Sequence, residues 1–142
     1  MISVVDVNVV LSSLLGKGNS LDVFATNSIF KKFEFVAPEF LLIELKKHIK
    51  EIFERSRLSE PEFNEVLEFL KMQIRIIPES EFIDKLPEAM KINFKDAPYI
   101  ALSSRLNCPI FSGDKILKNS IPDKVLSPRE MLDILFNNKF SR

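Results

Sequence analysis

Ile2-Ser3-Val4-Val5-Asp6-Val7-Asn8-Val9-Val10 is the stretch that decides the fold. Ile2 to Val5 is rich in β-branched side chains, which pack well on a pleated surface, and reads as a short strand. It stops at an acid. Val7 to Leu15 then carries an apolar pattern compatible with a helix. A carboxylate set directly after Val4-Val5 in so apolar a segment needs a compensating partner wherever the chain buries it. The unit is strand, acid, helix.

Working outward, the same alternation recurs. Gly16-Lys17-Gly18-Asn19 marks a loop, and Ser20 is placed to cap a helix over Leu21 to Phe30. Phe35-Val36-Ala37 reads as a buried strand. Pro38 suits the first turn of a long helix running to about Arg55, on which Leu41, Leu45, Ile49 and Ile52 repeat at helical spacing. Ser59-Glu60-Pro61-Glu62 has the form of a capping box and opens a helix with Phe63, Val66, Leu67 and Leu70 on one face. Ile74 to Ile77 reads as a strand. Glu79 to Ile92 reads as helical, limited or split by Pro87. Asp96 opens a helix over Ala97 to Leu106. Cys108 to Ser112 is strand-like and is followed by the turn Gly113-Asp114-Lys115. Val125-Leu126 is a last short strand, and Ser127-Pro128-Arg129-Glu130 a strong helix start. Short strands alternating with amphipathic helices predict an α/β fold with a mostly parallel sheet covered by helices and joined by right-handed crossovers.

With 142 residues, the chain fits a single domain spanning 1–142. Its 20 basic and 20 acidic residues cancel, so no global field draws in nucleic acid; binding must come from a local patch or from bound metal. Cys108 is the one cysteine, which precludes an internal disulfide and suits a reducing compartment; it reads as a small buried hydrophobe. No apolar run approaches the ~20 residues of a membrane span. The chain starts at once on a strand, without a basic leader, so the expectation is a cytoplasmic protein with no membrane role.

Four acids stand out. Asp6 ends the first strand, Asp114 follows the Cys108–Ser112 strand by one glycine, and Asp96 sits at a helix start. The carboxyl ends of parallel strands share one edge, where sites are built. Each aspartate alone also reads as a helix cap or a turn residue. Glu44 lies in the otherwise apolar Phe40-Leu41-Leu42-Ile43-Glu44-Leu45 and reads equally as the edge of a packed helix. Clustered, the four would repel one another and would need protons or cations. Mg²⁺ and Mn²⁺ prefer carboxylate and water oxygens, bridge phosphates and acidify water, which suits phosphodiester hydrolysis.

Other chemistries fit less well. The glycines at 16, 18 and 113 form neither a dinucleotide fingerprint nor a P-loop. His48 has no cysteine partners for zinc; one turn beyond Glu44, it either touches a phosphate or lies exposed beside Lys46, Lys47 and Lys50. An aspartyl-phosphate enzyme would need an acid two residues after Asp6, where Asn8 stands. A paired-carboxylate glycosidase has little room for a sugar cleft in so short a chain.

Val4-Val5-Asp6-Val7-Asn8-Val9-Val10, Pro38-Glu39-Phe40 leading to Glu44, Lys95-Asp96-Ala97-Pro98-Tyr99-Ile100-Ala101-Leu102 and Ile110-Phe111-Ser112-Gly113-Asp114-Lys115 together resemble the PIN (PilT N-terminal) domain family. The resemblance covers nearly the whole chain. It implies a three-layer α/β/α sandwich with a central, mostly parallel sheet, and an Mg²⁺- or Mn²⁺-dependent endoribonuclease. Carried over, Asp6, Glu44, Asp96 and Asp114 are the catalytic, metal-binding acids, and Asn8 and Ser112 line the site. Many relatives have a further acid just before the position of Asp96 or shortly after that of Asp114; Phe94-Lys95 and Lys115-Ile116 stand here, which bears on a second metal. Proteins of this size and kind resemble VapC-type toxins, which pair with an antitoxin. A housekeeping RNA-processing nuclease and a non-catalytic interaction module fit the same residues. RNA is the expected substrate, with Lys46, Lys47, Lys50, Lys115 and Lys118 as phosphate contacts or as solvated faces. Tyr99 reads as core. The 13 phenylalanines are either all core or leave an apolar face for a partner, such as a twin subunit.

Overall fold

The structure, a computed structural model, describes residues 1–137. Five strands, β1 (Ile2–Val5), β2 (Glu34–Pro38), β3 (Ile74–Ile77), β4 (Ile110–Phe111) and β5 (Val125–Leu126), form one sheet in the order β3-β2-β1-β4-β5. Every neighbouring pair is parallel. Eight α-helices are described: α1 (Val7–Leu15), α2 (Ser20–Phe30), α3 (Phe40–Ser56), α4 (Glu60–Met72), α5 (Leu86–Ile92), α6 (Ala97–Leu106), α7 (Lys115–Ser120) and α8 (Pro128–Asn137).

The helices sort into two packed groups. α1 packs on α2, α3 and α4, and α2 on α8; α6 packs on α5 and across β1, β2 and β4. With the sheet between them, this is a three-layer α/β/α sandwich. A parallel sheet covered on both faces explains why its strands read as continuous apolar runs: Val4, Val5, Phe35, Val36, Ala37, Ile110 and Phe111 are all buried. Phe24 of α2 meets Phe35 at 5.2 Å and Phe111 at 5.5 Å between ring centroids, joining one helical layer to the sheet.

The capping box at Ser59 and Glu62 is present with both hydrogen bonds, and Ser127 and Glu130 form the same reciprocal pair at α8. Four sequence expectations shift. Asn19, not Ser20, occupies the N-cap position of α2, without a capping bond from its side chain, and Ser20 is buried in the first turn. Pro38 ends β2 instead of opening α3, a position where its missing N–H costs the ladder little. The Cys108–Ser112 strand contracts to Ile110–Phe111, with Cys108 half-buried ahead of it. The Gly113-Asp114-Lys115 turn continues into α7.

Strand order places the site. From β1 the chain builds outward through β2 and β3, then returns to lay β4 and β5 on the other side of β1. The order therefore reverses between β1 and β4, and the crevice beyond the carboxyl ends of such strands is where open α/β sheets bind ligands. Val5 pairs with Phe111, so the next residues, Asp6 and Ser112, meet at that crevice.

Candidate active site at the strand switch point

Asp6 is buried, 4% exposed, at the junction of β1 and α1. It stands at the N-cap of α1 but makes no capping hydrogen bond with its side chain. The Asn8 amide lies near enough to lower its pKa slightly but falls short of a bond. Its Oδ2 instead accepts from the Ser112 hydroxyl at 2.8 Å. Burial, above all, pushes the Asp6 carboxyl up to about 7; the Ser112 bond pulls it down, and the charges of Asp96 and Glu44 raise it further.

Ser112 is the hub of a small polar lattice. Its Oγ accepts from the Asp114 amide at 3.0 Å and from Asn8 Nδ2 at 3.3 Å. Asn8 Oδ1 accepts from the Gly113 amide at 3.2 Å. Because the hydroxyl accepts from these two donors, its one proton is directed at Asp6. The lattice ties the loop after β4 to the first turn of α1.

Asp96 is 6% exposed and precedes α6. Its side chain caps nothing, although its amide donates to Asn93 Oδ1 at 3.1 Å. Burial raises its pKa first, then the charges of Asp114 and Glu44, against a lowering by Lys95. Asp114 does cap its helix: Oδ1 accepts from the amides of Ile116 at 2.8 Å and Leu117 at 3.3 Å. For this residue the cap reading and the site reading hold together, since Oδ1 takes both bonds.

Glu44 reaches the group from α3. Its Oε1 accepts from the Tyr99 hydroxyl at 2.5 Å. Tyr99, fully buried on α6, packs edge-on against Phe40 at 6.0 Å between centroids. Burial, the Glu44 bond and the Asp6 charge hold its hydroxyl far above the usual phenol range, so it stays a donor. Sequence reading assigned Tyr99 to the core and missed this role. The available signal was one tyrosine in a chain with 13 phenylalanines, three residues after the acid that precedes its helix.

Asp6 feels Asp96 and Glu44, and Asp96 feels Asp114 and Glu44, so the four acids from distant segments form one electrostatic group. They do not form a finished coordination shell: among the described residues no three His, Cys, Asp or Glu side chains stand close enough to grip a metal ion. Of the lysines, Lys46, Lys47, Lys50 and Lys115 are exposed. Lys118 is engaged, donating to the Val125 carbonyl at 2.6 Å and to Glu130 at 2.7 Å, so it anchors α7 to β5 and α8 and is not free for phosphate.

The family model described as PIN domain matches residues 4–122, a span that contains all four acids and the whole switch point. The chain belongs to the PIN domain family. Its members are generally nucleases and generally use divalent metal ions. No curated protein matches in sequence. This PIN domain is similar in fold to a chain of VapBC2 from Rickettsia felis, solved bound to a DNA fragment from their promoter. The TM-score is 0.61 at 10% identity, over 89% of this chain and 98% of that one. Among the described residues no helix is long and apolar enough to cross a membrane.

Proposed function

We propose that this PIN domain, taken as one unit over residues 1–142, is an endoribonuclease that hydrolyses RNA phosphodiester bonds with Mg²⁺ or Mn²⁺. The observation that carries the reading is the buried Asp6 carboxyl, raised to about 7 and flanked by the charges of Asp96 and Glu44. A carboxylate group strained in this way is relieved by a divalent cation, and an all-oxygen donor set suits a hard ion. When bound, such an ion polarises a phosphate oxygen and acidifies water. Asp6 and Asp96 would hold it from the sheet edge, with Glu44 and Asp114 at the flanks. Ser112 and Asn8 keep Asp6 and the loop after β4 in register.

The VapBC2 likeness supports a toxin role with an antitoxin as partner. Phe94 and Ile43 are exposed apolar side chains, at 76% and 64%, available to that partner or to a second copy of the chain. The function test is cleavage of single-stranded or looped RNA. Wild type cuts with Mg²⁺ or Mn²⁺ and stops in chelator; Asp6→Asn loses most activity, because it keeps the shape and removes the charge. Undiminished cutting in chelator, or full activity of Asp6→Asn, overturns the reading.

A further inference from the structure

We infer that Tyr99 is the positioning residue that holds Glu44 within reach of Asp6 and Asp96, an inference that rests on the metal site proposed above. The ring alone does not call for a hydroxyl. Tyr99 is fully buried beside Phe40, and among the described residues the other buried aromatic places are all filled by phenylalanine, at Phe24, Phe33, Phe35, Phe63, Phe82 and Phe111. A buried hydroxyl left unpaired is destabilising, and this one is spent on Glu44 Oε1 at 2.5 Å. Glu44 is otherwise a long, half-buried side chain on α3 with rotamers to lose. The hydroxyl removes that freedom before any ligand arrives and occupies only one carboxylate oxygen.

The helix that supplies the donor also supplies an acid. Asp96 and Tyr99 are three residues apart at the start of α6, joined by the Tyr99 amide donating to the Asp96 carbonyl at 3.1 Å. One rigid turn therefore sets Asp96 directly and Glu44 through the phenol. Groups that orient a metal-binding carboxylate from behind in this way typically change metal affinity by about 10–100-fold when removed.

The chain itself provides the probe. Tyr99 is its one tyrosine and it has no tryptophan, so tyrosine emission reports this position alone. A phenol bonded to a carboxylate is quenched, because the excited phenol passes its proton to the acceptor. Emission of the full chain should rise in Glu44→Gln. It should rise saturably in wild type as Mg²⁺ draws on the carboxylate, and Mg²⁺ should leave the Glu44→Gln emission flat. In calorimetric titration, Tyr99→Phe should bind Mn²⁺ about tenfold more weakly than wild type. Equal Mn²⁺ affinity in wild type and a folded Tyr99→Phe overturns the positioning role and leaves the metal site standing. No Mn²⁺ binding by wild type overturns the metal site, and this role with it. Should Tyr99→Phe fail to fold, emission decides: a signal indifferent to both Glu44→Gln and Mg²⁺ overturns the inference.

Discussion

The Ser112 hydroxyl donates to Asp6 Oδ2 at 2.8 Å, one residue past the paired ends of β1 and β4. The bond lowers the pKa of a carboxyl that everything else near it, the weak Asn8 contact excepted, raises. Ser112→Ala removes the only side-chain hydrogen bond that Asp6 accepts among the described residues, and strands the Asp114 amide. The expected loss is about 1–3 kcal/mol in urea unfolding, with RNA cleavage reduced alongside. Unchanged stability would mean that water replaces the hydroxyl at no cost.

Asp6 also predicts how stability follows pH. Its folded pKa of about 7 lies above the ordinary 3.8, so the folded state holds this proton more tightly than the unfolded chain. Its contribution is therefore favourable at low pH and is lost as pH climbs from about 4 to about 7. The loss is on the order of 4 kcal/mol in metal-free protein. Asp6→Asn imitates the protonated acid and escapes the loss. Melted in chelator, it should exceed wild type at pH 8, and the gap should close towards pH 4. A gap independent of pH would show that Asp6 does not titrate in this range.

Asp96 and Asp114 should part company. Asp114 caps α7, so Asp114→Ala should cost about 1 kcal/mol while Asp114→Asn costs little. Asp96 caps nothing and is pushed up by its neighbours, so Asp96→Asn should raise metal-free stability. Both Asn variants should gain less from Mn²⁺ than wild type in thermal melts. If Mn²⁺ shifts none of the three proteins, these aspartates are structural only.

Much of this was legible in the residues. The alternation of short strands and amphipathic helices specified the sheet, because β-branched runs and helical spacing are local properties. Asp6 was marked out by its apolar flanks, and its meeting with Ser112 followed once β1 and β4 paired. The strand order, and hence the switch point, was not readable, since it depends on which β-branched runs pair across the whole chain. Nor was the Tyr99–Glu44 bond, made between residues fifty-five apart. Lys118 misled because a lysine near an acidic site looks free until its acceptors, the Val125 carbonyl and Glu130, are seen.

A cation at Asp6 is the central claim, and anomalous diffraction from crystals grown with Mn²⁺ tests it most directly. The predicted result is a peak beside the Asp6 and Asp96 carboxylates, either at direct coordination distance from an acid oxygen, about 2 Å, or one water further out. Asp6→Asn crystals grown the same way should lose it. Well-ordered crystals with no peak at the β1–β4 switch point, or with an undiminished peak in Asp6→Asn, would contradict the account.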